Sequence, residues 1–286
     1  MKNFKLKTHY KKILADTISP VSVYLKIRDQ FPNSILLESS DYHGNDNSFS
    51  YICCNPIASI KVEANLITKT YPDHTFETKT VESDMVTAEI DAFTKQFETQ
   101  NDKTFKFINN GMFGFTAYDA VKYFEDITIS KKDHSIEIPD MYYAVYQNII
   151  AINHFKNEAY LFAHCFERES NIEAIDHLIK MQSFSSYDFK SKGKISSNLT
   201  DKAFKSNVDL AKKHCNRGDV FQLVLSKKFQ QDFKGDDFNV YRALRSINPS
   251  PFLFYFDYGK FKIFGSSPEA QLVVENQKAE IHPIAG

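Results

Sequence analysis

The chain contains no tryptophan, although 26 Phe and 15 Tyr stand among its 286 residues. Lys outnumbers Arg 30 to 5, and Lys, Phe, Tyr, Ile and Asn all have AT-rich codons while Trp does not, so codon bias accounts for the gap. Gly and Pro number 9 each, about half their usual share. That scarcity excludes collagen-like and low-complexity chains. The glycines build neither G-x-G-x-x-G nor G-x-x-x-x-G-K-[ST], so no phosphate-cradling loop is indicated. H-E-x-x-H and G-x-S-x-G are also missing. Cysteine is sparse: Cys53, Cys54, Cys165 and Cys215 form no C-x-x-C, which signals neither a disulfide framework nor a zinc site. His164 and His214 each precede a cysteine. In a strand such neighbours point to opposite faces, the wrong geometry for joint ligation. Net charge is −1, from 35 basic and 36 acidic side chains, so there is no basic field for nucleic acid. No segment approaches the roughly 20 apolar residues of a membrane span. The lysines of the N-terminal MKNFKLKTHYKKILAD lead into no signal-peptide run. A reducing cytoplasm is the simplest setting, with no membrane partner.

What is present reads as a globular protein: 42% hydrophobic and 25% charged residues. The length fits about two domains and a sizeable core. Residues 35–38 form a short apolar strand. Residues 50–54 and 58–62 read as two strands separated by the turn dipeptide Asn55-Pro56. Asp84 caps a helix with Met85, Ile90, Phe93 and Phe97 on one face. Residues 142–153 and 158–166 flank a polar turn at 154–157 and predict a hairpin. Ser170 to Glu173 has capping-box spacing before a helical period. Residues 183–199, rich in Ser and Lys and without periodicity, read as a linker or surface loop. The expected division is therefore 1–182, a linker over 183–199, and a further region over 200–286. In that last region Thr200 caps a helix carrying Phe204, Val208, Ala211 and Cys215, and Gly218 ends it. A strand is expected over 220–226, then a helix from Asp237 to Asn248-Pro249. Two hairpins follow, 252–257 with 261–264 and 272–274 with 279–281. The pattern is α+β with largely antiparallel sheets.

Four segments carry more than structure. G-D-V-F-Q-L-V starts at Gly218 and sets Gln222, a lone amide, in an apolar run. A buried amide without partners costs about 1–3 kcal/mol. N-P-S-P-F-L-F starts at Asn248, F-G-S-S-P-E at Phe264, and P-I-A-G at Pro283. Singly, each fits an ordinary strand, helix stop or turn. In this order and spacing they resemble the chorismate-utilising enzymes, and specifically anthranilate synthase component I. The likeness extends upstream to L-L-E-S at 36–39 and to the glycine-rich run from Gly111 to Tyr118 and Asp119.

The resemblance implies two packed, largely antiparallel β-sheets with helices outside. It also implies amination of chorismate, with magnesium assistance, to anthranilate and pyruvate. Ammonia would come from glutamine through a separate amidotransferase subunit. Family members that add water place Lys where Gln222 stands, because water needs a general base. Ammonia brings its own lone pair, so Gln222 points to amination. Aminodeoxychorismate synthases, the main alternative, carry a nucleophilic Lys where Ala285 stands. Gln222 and Glu269 are expected to line the catalytic pocket, with Gly265, Ser266 and Gly286 holding substrate. Feedback inhibition by L-tryptophan is implied at Glu38, Ser39, Pro251, Phe252 and Leu253, where a carboxylate and a hydroxyl suit an ammonium group and the apolar residues suit an indole. Phe252 and Leu253 replace the family's Tyr and Met and keep the pocket apolar. Members of the family continue past P-I-A-G, and the magnesium-binding glutamates are expected there, with none in this chain. The expectation is therefore an N-terminal fragment, without synthase activity and poorly soluble by itself. In that case a non-catalytic tryptophan-binding module is the reading of another class.

Overall fold

The fold comes from a computed structural model that describes residues 2–39, 48–99, 105–129, 138–275 and 277–283. In chain order the first elements are β1 (Phe4–Leu14), α1 (Pro20–Ile27), β2 (Ile35–Ser39), β3 (Phe49–Glu63), β4 (Leu66–Thr70) and β5 (Phe76–Thr80). Next come α2 (Val86–Thr94), β6 (Phe97–Thr99), β7 (Met112–Thr116), β8 (Met141–Asn153), β9 (Glu158–Cys165) and α3 (Ile172–Lys180). The rest of the chain holds β10 (Phe189–Ser197), α4 (Asp201–Arg217), β11 (Phe229–Gly235), α5 (Phe238–Ile247), β12 (Phe252–Asp257), β13 (Lys262–Ser267), β14 (Leu272–Glu275) and β15 (Lys278–Ile281). The fold is α+β. Contacts divide it into two units, Met1–Ser185 with Asn248–Ser267, and Ser186–Ile247 with Pro268–Gly286. The N-P-S-P element and both strands of the following hairpin, read from sequence as part of 200–286, thus pack into the first unit.

The first unit is built on an 11-stranded sheet with the order β13-β12-β2-β3-β8-β9-β1-β6. Every pairing along it is antiparallel except β1 with β6. The other described strands form two two-stranded sheets, β10-β11 and β14-β15, so a second large sheet is not present among the described residues. The large sheet forks. The first half of β3 pairs with β2, and its second half pairs with β4. β8 stays beside β3 throughout, and itself turns from β7 to β9.

The fork lies at Asn55-Pro56. These residues were read as a turn between two strands, but β3 runs through them with its register shifting between Pro56 and Ala58. Asn55 adopts a left-handed φ of 58° and Pro56 has no N–H to give a ladder, so the dipeptide makes a bulge that bends one strand instead of ending it. Two aromatic-rich cores result. One gathers Phe4, Ile60, Val62, Tyr71, Phe93 and Tyr123. The other gathers Ile35, Cys53, Tyr146, Phe162, Phe256 and Tyr258.

Helix ends follow the sequence in places. The Thr200 hydroxyl accepts from the Ala203 N–H at 3.2 Å, and Gly218 closes α4 at φ 79°. Elsewhere local signals give way. Asn171 is the N-cap of α3 and makes no side-chain cap bond, so the capping box does not form. Phe97 leaves the α2 face for β6, where it pairs beside Phe4. Phe189–Ser197, inside the expected linker, forms β10 against β11. Residues 220–226 form no strand. Phe221 and Val224 there stand fully or largely exposed. Without a neighbouring strand an apolar run has no ladder for its backbone groups.

Candidate functional site

Three of the sequence motifs lie side by side. L-L-E-S ends β2, N-P-S-P leads into β12, and F-G-S-S opens into the end of β13. β12 is the middle strand: Glu38 pairs with Leu253 and Ser39 with Phe252 on one side, while Leu253 pairs with Ser266 and Phe252 with Ser267 on the other. Directly paired residues of antiparallel strands share a face. Glu38, Leu253 and Ser266 therefore project to one face, and Ser39, Phe252 and Ser267 to the other. The first face is the covered one, with Glu38 and Leu253 only 6% and 3% exposed. Behind it Tyr255 meets Tyr24 of α1 edge to face at 5.5 Å. On the second face Phe252 is 42% exposed, and Pro251, just before it, is exposed as well. The five residues expected around an amino-acid ligand are thus neighbours at one end of a strand pair, carried on alternating faces.

Side chains bind this end together. The Ser266 hydroxyl donates to the Asn248 carbonyl at 2.6 Å, tying β13 to the N-P-S-P element. The Ser39 N–H donates to Ser50 Oγ at 3.4 Å, and Ser50 Oγ lies 2.7 Å from His154 Nε2. Ser50 is completely buried. Sequence reasoning missed Ser50 and His154: one is a serine inside an apolar strand and the other a polar residue in a hairpin turn, and no local pattern joins them. Gly265 pairs with Phe254, and a Cβ there would sit 2.7 Å from the Phe254 ring. The missing side chain makes room for that ring.

Gln222 and Glu269 are exposed and belong to the second unit. Gly286 and Ala285 lie outside the described residues, as does Ser40. Among the described residues there is no group of three or more His, Cys, Asp or Glu that could hold a metal ion. Cys53 and Cys54 are free and buried. Burial pushes both thiols far up, which keeps them protonated and inert.

Residues 34–286 match the family described as chorismate binding enzyme. The chain belongs to the chorismate-binding enzymes. This chorismate-binding enzyme is 30% identical to anthranilate synthase component 1 of Lactococcus lactis, over 96% of the chain and 60% of that protein. To the Aquifex aeolicus protein of the same name it is 28% identical, over 99% of the chain and 60% of the relative. Aminodeoxychorismate synthase component 1 of Bacillus subtilis is 27% identical over 96% of the chain and 59% of its own length. The chain spans about 60% of the length of the curated relatives it matches. The crystal structure of anthranilate synthase component I from Streptococcus pneumoniae shares the fold, with a TM-score of 0.61 at 24% identity, over 93% of this chain and 59% of that one. No helix among the described residues is long and apolar enough to cross a membrane.

Proposed function

We propose that this protein serves as anthranilate synthase component I: ammonia adds at C2 of chorismate while the 4-hydroxyl leaves as water, and elimination of pyruvate then leaves anthranilate. Ammonia reaches it from glutamine through an amidotransferase subunit, in the cytoplasm. In this reading Gln222 supplies a neutral amide beside a nucleophile that needs no general base, with Glu269, Gly265, Ser266 and Gly286 around the substrate. The resemblance also implies magnesium, which when bound would screen the substrate carboxylates. L-tryptophan binds at Glu38, Ser39, Pro251, Phe252 and Leu253 and inhibits.

One observation carries the reading: β2 and β12 pair so that Glu38 stands opposite Leu253 and Ser39 opposite Phe252. Segments more than 200 residues apart in sequence thereby bring a carboxylate and a hydroxyl beside apolar side chains. A carboxylate suits an ammonium group and the apolar side chains suit an indole, with Glu38 and Leu253 on one face of the strand end and Ser39 and Phe252 on the other. The likeness to an aminodeoxychorismate synthase component 1 favours a second reading, which Ala285 opposes because it cannot act as a nucleophile. Product analysis separates them. The protein is incubated with chorismate, ammonium and magnesium, and the product is resolved by chromatography. Any product that forms is expected to be anthranilate. The 4-amino isomer supports the second reading. Absence of any product, together with saturable tryptophan binding, leaves a regulatory binding module.

A further inference from the structure

The sheet has a gap beside the candidate ligand site, and a side chain closes it. β2 is laddered on both flanks up to Leu37, which pairs with Tyr51 of β3 and Phe254 of β12. Beyond Leu37 the β12 ladder continues through Glu38 and Ser39, while the β3 ladder stops. β3 itself does not stop there. Its residues Ser50 and Phe49 still pair with Ile152 and Asn153 of β8. The backbone of Glu38 and Ser39 is thus released from β3 at the two positions where the ligand's ammonium group is proposed to bind.

Ser50 spans the gap. Its Oγ accepts the Ser39 N–H that a strand carbonyl would otherwise take. A hydroxyl has one proton and two lone pairs, so Ser50 Oγ can hold the Ser39 N–H and His154 Nε2, 2.7 Å away, at the same time. His154 is anchored in turn: its own N–H donates to the Ser48 carbonyl at 3.0 Å, which fixes the ring relative to the start of β3. The chain of contacts runs from the β8–β9 turn through a fully buried hydroxyl to the end of β2.

We propose that Ser50, oriented by His154, is a positioning residue for the amino-acid ligand held at Glu38 and Ser39. A continuous ladder would fix this strand end through several backbone bonds. Here the Ser39–Ser50 side-chain bond ties this strand end to the β3 flank, and it helps set the placement of the Ser39 hydroxyl. The inference rests on the tryptophan reading of the same site.

The test compares L-tryptophan affinity, thermal midpoint and the exchange rate of the Ser39 amide in the wild type, Ser50→Ala, Ser50→Thr, His154→Ala and Ser59→Ala. Ser59 lies on the same strand, where its hydroxyl meets Thr70 on the far wing, and serves as the control. Ser50→Ala is expected to weaken tryptophan binding about tenfold, as loss of one positioned hydrogen bond does, and to speed exchange at Ser39. Ser50→Thr restores binding because it restores the hydroxyl, and His154→Ala weakens binding in the same direction. Ser59→Ala leaves affinity unchanged. Equal affinity in wild type, Ser50→Ala and His154→Ala overturns the positioning role while leaving the ligand site standing. Wild-type protein that binds no tryptophan overturns the ligand site, and this role with it. If Ser50→Ala fails to fold, His154→Ala decides the matter by the same comparison.

Discussion

His164 shows how burial sets the behaviour of a single side chain. It is 2% exposed, its Nδ1 lies 3.0 Å from the Thr8 hydroxyl and its Nε2 lies 2.8 Å from the Asn109 carbonyl. A carbonyl only accepts, so Nε2 carries the proton and Nδ1 takes the Thr8 hydroxyl's. Burial lowers the pKa of this imidazole, against a smaller opposing pull from the Asn109 carbonyl. The sign follows from linkage: the unfolded state binds a proton that the folded state refuses, so the contribution is complete above the ordinary histidine pKa and is lost as pH falls below about 6.5. Stability is predicted to decline in that window by no more than about 1.4 kcal/mol per pH unit from this one group. Denaturant melts from pH 7 to 5 check it, and His164→Gln should flatten the slope; an unchanged slope in that variant contradicts the account. Position in the chain carries no trace of this role, because the partners Thr8 and Asn109 come from distant segments.

At the scale of elements, β12 and β13 fit through an absence. Gly265 leaves the space in which the Phe254 ring lies, and its hypothetical Cβ would approach Cζ and Cε1 of that ring to 2.7 and 2.9 Å. The ring is not free to swing away, since it packs against Phe256 at 5.5 Å. Gly265→Ala is therefore predicted to destabilise the first unit by about 1–3 kcal/mol, the usual cost of overpacking. Phe254→Leu in the same chain should recover part of that loss. Urea unfolding of the two single variants and the double variant checks this; strictly additive effects contradict it. Much of this level was legible in the residues. The helix from Thr200 to Gly218 and the hairpins of β8–β9, β12–β13 and β14–β15 follow from caps, turns and periodicity that act locally. The failures share a cause. Asn55-Pro56 has turn chemistry yet bulges, because β8 runs beside β3 across the dipeptide and holds both halves in one strand. The apolar run at 220–226 has strand chemistry without a strand neighbour, and the Ser- and Lys-rich run at 189–197 has one in β11. Pairing partners decide such segments, and periodicity does not report them.

At the scale of the molecule, three of the motifs that carried the resemblance proved to be spatial neighbours in the first unit: L-L-E-S ends β2, N-P-S-P leads into the adjacent β12, and F-G-S-S ends β13 beside it. The adjacency of the first two was implied by the resemblance and could not be read from spacing, because over 200 residues separate β2 from β12; that of F-G-S-S was not. The division into units was less legible, since the chain returns to the first unit at Asn248–Ser267 after leaving it. The missing tryptophan also gains a second meaning at this scale. Under the proposed function, a chain made when tryptophan is scarce benefits from having none in these 286 residues, alongside the codon bias that its lysines indicate. It has a practical consequence too: in a solution of this protein and L-tryptophan, the ligand is the only indole present. The most direct test of the proposed site is therefore a titration followed by the fluorescence anisotropy of the ligand itself. The account predicts a saturable rise in anisotropy at one site per chain, abolished in Ser39→Phe. Anisotropy that stays at the value of free tryptophan at every protein concentration, or that rises equally in Ser39→Phe, would contradict it.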